Sequence, residues 1–375
     1  MASARLSGGH QRDHQREWTA TMGGHRTPSG VVTPHDDNFS IQTTLIDRQA
    51  TEDQQALALS RAATLARGAG DRPQPEEPDP YRTCFERDRD RILHSSAFRR
   101  LAGKTQVFIF PADHQRTRLT HALEVAQIAV AIARRLRLNA DLTEAIALGH
   151  DCGHGPGGHA SEVALEPFLE DGFDHAPWGA HVTLAQLNLC RETTDGIANH
   201  SWSRPRPTTP EGEVVALADR IAYCAHDLED AIGAGLLPRH QVPSDLTQLI
   251  GDHRNQQLDF FITDVITTTL TTDIIGLSTT AGEALATLRS FNYTNIYTSD
   301  ASTAQSEAVI ALLQSLTDYL IAHPSSLPEY DESASIPFQA VAYVAGMTDR
   351  FAFALAHELI GWPTDRLPMG IDLHH

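Results

Sequence analysis

Two stretches of this chain repeat apolar residues at helical spacing, and between them lies a glycine-flanked histidine–aspartate doublet. Over residues 119–138 the apolar positions are Leu119, Leu123, Ile128, Ile132 and Leu136, with Glu124, Gln127, Arg134 and Arg135 on the other side. Over residues 213–232 the stripe is Leu217, Ile221, Cys224, Leu228 and Ile232. Asp219, Tyr223, Asp227 and Asp230 share a second face of that helix, with His226 level with Asp227. Residues 143–150 continue helically and end in Leu148-Gly149-His150-Asp151-Cys152-Gly153-His154. Strand signals are sparse. Residues 104–110 alone are β-branched and aromatic enough for a short strand or hairpin arm. The pattern predicts a mainly α fold with at most a short β-hairpin.

A histidine nitrogen and a carboxylate on adjacent residues can grip one divalent cation. Most His-Asp pairs are chance surface neighbours. This pair is bracketed by Gly149 and Gly153, and Gly155-Pro156-Gly157-Gly158-His159-Ala160-Ser161-Glu162 follows it. So many histidines and carboxylates in a short glycine-rich run are hard to explain as a solvated face. Two further candidate ligands stand in helical settings: His121, in Arg116-Thr117-Arg118-Leu119-Thr120-His121, and Asp219, in Ala216-Leu217-Ala218-Asp219-Arg220. With His150 and Asp151 they make a mixed nitrogen and oxygen set. Such a set suits Mn, Fe, Mg or Zn and disfavours a thiolate-type structural zinc. Four protein ligands on a six-coordinate cation leave room for water and a phosphate oxygen, as a hydrolytic site needs.

The 375 residues carry a formal net charge of -19. So acidic a surface argues against nucleic acid or an anionic membrane as the main partner. It leaves room for an anionic small substrate in a locally basic pocket. Cys84, Cys152, Cys190 and Cys224 are spread out with no C-x-x-C pair, which predicts a reducing compartment. Cys152 and Cys224 read as small buried fillers. The polar N-terminus lacks the apolar stretch of a secretory signal, and no apolar run is long enough to span a bilayer. A cytoplasmic protein is expected.

Four regions follow along the chain. Residues 1–50 read as a flexible extension, and residues 51–80 as a short helix over 52–66 and a proline-rich connector. Residues 81–235 carry the motifs and form the expected core. Residues 236–375 read as a helical C-terminal region packed on it. Further helices are expected over residues 161–169 and 181–191. The threonine-rich run 263–272 suits either helix or strand.

Taken together, these motifs resemble the HD-domain superfamily of metal phosphohydrolases. Within it the chain is similar to the deoxyguanosinetriphosphate triphosphohydrolase-like family. The likeness runs from Arg82-Thr83-Cys84-Phe85-Glu86-Arg87 to Ala97-Phe98-Arg99-Arg100-Leu101, then Lys104-Thr105-Gln106-Val107-Phe108. It continues through the His121 segment, the doublet loop and Ala218-Asp219-Arg220-Ile221-Ala222-Tyr223, and returns at Tyr343-Val344-Ala345-Gly346-Met347-Thr348-Asp349-Arg350-Phe351. It spans residues 80–355.

The resemblance implies an HD-domain helical bundle with additional C-terminal helices. It implies hydrolysis of a deoxynucleoside triphosphate, dGTP or several dNTPs, to a deoxynucleoside and inorganic triphosphate. It places a divalent cation, Mg, Mn or Fe with Mn or Mg foremost, on His121, His150, Asp151 and Asp219. It makes His159 the catalytic histidine, with Glu162 orienting it. His154 and Arg118 would touch the phosphates. Gln106, Tyr223 and Asp227 would read the sugar, Tyr223 filling the space a 2'-hydroxyl needs. A homo-oligomer such as a hexamer and a nucleotide effector belong to the same expectation.

Elementary chemistry agrees with these roles. A dication and Arg118 offset the charge around the α-phosphorus. Glu162, three residues beyond His159, can fix its tautomer and raise its pKa. His159 can then act as acid towards the leaving oxygen or as base towards water. Gly155-Pro156-Gly157-Gly158 departs from the family's usual proline and bulky residue, which predicts a more flexible loop. His181 stands where asparagine is usual. Two other readings share the scaffold. One is a different HD-type nucleotidase or phosphodiesterase. The other is a nucleotide-sensing or nucleic-acid-binding protein without turnover. A 2'-deoxy preference and release of intact triphosphate separate the first reading from these.

Overall fold

The computed structural model describes residues 8–107, 115–328 and 333–368. The described residues form sixteen α-helices and one two-stranded antiparallel sheet, a mainly α fold as the periodicity predicts. Residues 1–46 make one compact unit and residues 47–375 another. The first carries α1 (Gly8–Thr21) and a hairpin of β1 (His25–Arg26) and β2 (Val32–Thr33), with His25 opposite Thr33.

The second unit opens on α2 (Arg48–Ala58). Asp47 caps it by accepting the Ala50 amide at 2.9 Å, and the Ser60 amide turns away to the Arg137 carbonyl at 2.8 Å. The helix expected over residues 52–66 therefore starts and stops earlier. Then come α3 (Cys84–His94) and α4 (Ser96–Arg100). A reciprocal cap starts α3: the Glu86 amide donates to the Thr83 hydroxyl at 3.3 Å and the Thr83 amide to the Glu86 carboxylate at 2.7 Å. Next are α5 (Arg118–Leu136), ended by Arg137 at φ 54°, and α6 (Ala140–Gly149), capped by Asn139. Short helices α7 (Ala160–Leu165), α8 (His175–Trp178) and α9 (Arg191–Ala198) follow, then the long α10 (Pro210–Gly233). The C-terminal region holds α11 (Ser244–Ile250), α12 (Arg254–Thr272), α13 (Thr279–Asn292), α14 (Asp300–Ala322), α15 (Ile336–Ala345) and α16 (Asp349–Ile360).

Three expectations change, and one open choice closes. The strand over residues 104–110 does not form over its described part; Thr105 makes only an isolated bridge to Thr117. Its amide donates to Asp349 at 3.0 Å instead of to a neighbouring strand. Residues 108–110 lie outside the described residues. The helix over residues 181–191 is replaced by a π turn (Gly179–Thr183), a 3-10 turn (Ala185–Leu187) and a left-handed Asn188 at φ 52°. Arg91 and Arg72 donate to the Asn188 carbonyl, and the Gln74 amide donates to its side chain at 2.8 Å, so the connector holds this loop open. The inward stripe of α5 also differs. Leu123 is 47% exposed, while Ala122, Val125, Ala129, Ile132 and Ala133 are buried. Finally, the threonine run resolves as helix, its hydroxyls donating to carbonyls four residues back, as Thr269 does to Val265 at 2.7 Å.

Two apolar cores result. The larger joins α3, α5, α6, α10, α12 and α13 through residues such as Phe85, Ile92, Ile128, Ile146, Ile221, Phe261 and Leu288. Small residues Ala122, Ala129, Ala145 and Ala222 line it, and their size lets helix axes approach closely. The smaller joins α7, α14, α15 and α16 through Leu165, Leu312, Leu316, Val341 and Phe353. Each fully buried Leu, Ile or Phe contributes about 1.5–3 kcal/mol. The doublet loop between α6 and α7 runs from one core to the other. No described helix is long and apolar enough to cross a membrane.

Candidate active site

Three helices of the larger core bring the expected ligands together. The first turn of α5 presents His121, the end of α6 presents His150 and Asp151, and α10 presents Asp219. His121 Nε2 lies 3.0 Å from Asp219 Oδ1, and His150 Nε2 lies 3.5 Å from Asp151 Oδ1 and 3.7 Å from Asp219 Oδ1. His121, His150 and Asp151 are buried. His150 Nδ1 donates to the Ala147 carbonyl at 2.7 Å, so its Nε2 carries a lone pair. That Nε2 is buried and has no hydrogen-bond partner. A lone pair aimed into two carboxylates is unfavourable without a cation between them, so the residues fit a divalent metal.

Arg118 borders the cluster. Its Nη1 donates to Asp151 Oδ2 at 2.7 Å, while Nε and Nη2 are buried without a partner. Burial opposes ionisation of Asp151, yet the Arg118 guanidinium and the rings of His150 and His154 hold its carboxyl well below the usual range. Burial likewise opposes ionisation of Asp219, and the bond from His121 brings it down to about 2. Burial and Arg118 push His154 well below its ordinary value, so its ring is neutral.

His159 and Glu162 form the second group. His159 is exposed to the cleft, and its Nδ1 lies 3.1 Å from Glu162 Oε2. Glu162 Oε1 meets His175 Nδ1. Burial opposes ionisation of Glu162, but these two bonds hold it far below the usual carboxylate range. These groups line one cleft of about 590 Å³ together with Gln106, Tyr223, Asp227 and Arg289. Gln106 Oε1 is buried without a partner. Tyr223 accepts from Arg289 Nε at 2.9 Å. Both Asp227 oxygens already accept, one from Arg116 Nη2 and the other from the Tyr297 hydroxyl. Each oxygen keeps a lone pair for a further donor.

The glycine loop, which departs from the family's usual sequence, is packed and bonded at several points. Residues 152–158 are buried. Gly157 and Gly158 adopt φ of 72° and 63°, which favours glycine, and a Cβ on Gly157 would meet Val309 at 2.5 Å. The Gly157 amide donates to Asp349 at 2.9 Å and the Gly155 amide to Ser161 at 3.0 Å. His181 is exposed and does not line the cleft.

Three site residues had no reading from sequence. His175 and His200 are single histidines in short connections, with no doublet or period to mark them. Gly153 brings His175 in: a Cβ there would stand 2.0 Å from the His175 carbonyl, so only glycine permits the approach. The third is Lys104, which is buried and donates to the His154 and Ala345 carbonyls. It is the only lysine in the chain, and that singularity was a signal available in the sequence. Burial pushes its pKa down to about 8.

Comparison with known proteins agrees with this geometry. A profile of the HD domain matches residues 118–224, and a profile of a phosphohydrolase-associated domain matches residues 275–358. A deoxyguanosinetriphosphate triphosphohydrolase-like protein of Caldanaerobacter subterraneus subsp. tengcongensis is 43% identical over 323 residues, covering 83% of this chain and 95% of its own. Proteins of the same description from Desulfatibacillum aliphaticivorans and Clostridium perfringens are 40% and 38% identical, covering 84% and 81% of this chain and 98% and 94% of theirs.

Proposed function

The chain belongs to the deoxyguanosinetriphosphate triphosphohydrolase-like family of HD phosphohydrolases, and from that premise we propose that it hydrolyses deoxynucleoside triphosphates to deoxynucleoside and inorganic triphosphate. The observation that carries this reading is Arg118. A buried guanidinium with two unpartnered nitrogens, beside a His/Asp cluster, calls for an anion with several oxygens. A triphosphate supplies them.

His121, His150, Asp151 and Asp219 would hold a divalent cation, which when bound supplies Lewis-acid polarisation of the α-phosphorus. Arg118 and His154 bind phosphate oxygens and fix the α-phosphorus in front of the cluster. Arg289 and Arg220 line the same cleft and add positive charge within an acidic protein. His159, carrying a proton on each ring nitrogen, gives its Nε2 proton to the 5' oxygen as that oxygen leaves phosphorus, while water forms the new P–O bond and loses a proton to solvent. The Glu162 carboxylate accepts from His159 Nδ1 and so turns Nε2, with its own proton, towards the substrate. Tyr223 occupies the 2' side of the sugar, and Gln106 and Asp227 take its 3'-hydroxyl.

The test is product identity. Purified protein with Mn or Mg and each dNTP, separated by chromatography, is expected to yield deoxynucleoside and triphosphate. Pyrophosphate with monophosphate, or orthophosphate, would replace this reading with that of another HD-type phosphohydrolase.

A further inference from the structure

Arg220, in α10, lines the cleft without a carboxylate partner among the described residues. Its neighbours differ. Arg116 pairs with Asp227 and Asp230, Arg118 pairs with Asp151, and Arg289 donates to the Tyr223 hydroxyl. Arg220 Nε is buried with no hydrogen-bond partner. In a chain of net charge -19, a cation left uncompensated in a cleft wall calls for an explanation.

Trp202 holds it. The Arg220 guanidinium carbon stands 3.6 Å from the centroid of the Trp202 ring. At that distance only the flat face of the cation fits against the ring, since an edge would bring a nitrogen too close. The indole is itself fixed. Its Nε1 donates at 2.9 Å to the carbonyl of Ala216, one turn before Arg220 on the same helix. Trp202 is 47% exposed and belongs to neither apolar core, so its placement serves the contact with Arg220 rather than core packing.

The choice of an aromatic partner has a consequence for charge. A carboxylate would also hold an arginine, but it would cancel the charge and occupy the N–H donors. The face of an indole attracts the cation through its quadrupole, carries no net charge and takes none of those donors. Arg220 is thus fixed in direction while its charge and its donors stay uncommitted.

We propose that Trp202 is a positioning residue for the polyphosphate: it holds Arg220 in the cleft wall, in place of a carboxylate, so that Arg220 meets a phosphate oxygen of the nucleotide with its full charge. The inference rests on the reading that a triphosphate fills this cleft. Removing the indole leaves the charge but frees the side chain, so the loss is one of affinity for the phosphates.

Titration calorimetry of the full chain with inorganic triphosphate, at one fixed magnesium concentration, tests it. Trp202→Ala is expected to bind about tenfold more weakly than the wild type. Trp202→Phe keeps an aromatic face and should recover part of that loss. Trp202→Glu should hold Arg220 as an ion pair yet bind no better than the alanine variant, because the charge is cancelled. In an Arg220→Met background, Trp202→Ala should cost nothing further, since it acts through the cation. Circular dichroism should be unchanged throughout, because Trp202 lies outside both cores. Binding by Trp202→Ala within about twofold of the wild type would overturn the proposal. So would a loss that persists in the Arg220→Met background, a phenylalanine variant no better than alanine, a glutamate variant equal to the wild type, or a wild type that binds no triphosphate. The titration follows binding without turnover. Products other than triphosphate from a dNTP, with these couplings intact, would sink the substrate reading alone.

Discussion

The Asp349 carboxylate accepts the amide of Gly157 at 2.9 Å, joining the N-terminus of α16 to the loop that follows the metal doublet. Its other oxygen accepts the amide and hydroxyl of Thr105, next to Gln106 in the cleft. One buried side chain from the C-terminal region thus positions two walls of the site.

Removing that carboxylate leaves three donors short of an acceptor. Asp349→Ala is therefore expected to lose about 3 kcal/mol of stability in urea unfolding. It should also lower kcat/KM more than an equally destabilising change in the smaller core, such as Leu316→Ala. A loss under about 0.5 kcal/mol, or an effect on kcat/KM no greater than that of Leu316→Ala, would contradict the positioning role.

His159→Ala should keep its bound metal and lose about 10²–10⁴-fold in kcat. Glu162→Ala is expected to lose less, because His159 Nε2 remains in the cleft. Turnover near that of the wild type in the His159 variant would exclude this residue as the proton carrier.

The four candidate ligands and the HD core were legible in the sequence for physical reasons. A doublet on a helix end and single polar residues at fixed helical register carry local signatures. The second histidine pair carries none, because α8 and α9 are short and the close packing of Gly153 on His175 brings them in. The stripe of α5 was misjudged for a related reason. Leucines dominate the count of hydrophobicity, yet alanines pack between α5, α6 and α10, leaving Leu123 outside. The packing of the glycine loop was not legible because its residues do not reveal that Asp349, far along the chain, bonds it.

Tyr223 carries the sugar prediction. The wild-type protein should hydrolyse dGTP faster than GTP, and Tyr223→Ala should narrow the gap. A buried polar site discriminates by what it leaves unpaired. Gln106→Ala should raise KM for the deoxy substrate. Equal hydrolysis of dGTP and GTP by the wild-type protein would count against the assignment.

Lys104 should leave a signature in the pH dependence of stability. Its pKa is about 8 in the folded state against 10.5 ordinarily, because burial disfavours the charge. Between these values the unfolded chain binds more protons than the folded one, so the Lys104 contribution rises with pH through that window. The shift corresponds to about 3 kcal/mol. As the chain has no other lysine, unfolding of wild type and Lys104→Met compared from pH 7 to pH 10 should show the wild-type curve gaining on the variant. Parallel curves would mean that the ammonium is not desolvated.

The central claim is that water attacks the α-phosphorus and that the bond to the 5' oxygen breaks. Turnover of dGTP in water labelled with heavy oxygen tests it most directly, with mass spectrometry of both products. The label should appear in inorganic triphosphate, with the 5'-hydroxyl of deoxyguanosine unlabelled. Label in the deoxynucleoside, or in orthophosphate or pyrophosphate with no labelled triphosphate, would contradict the account.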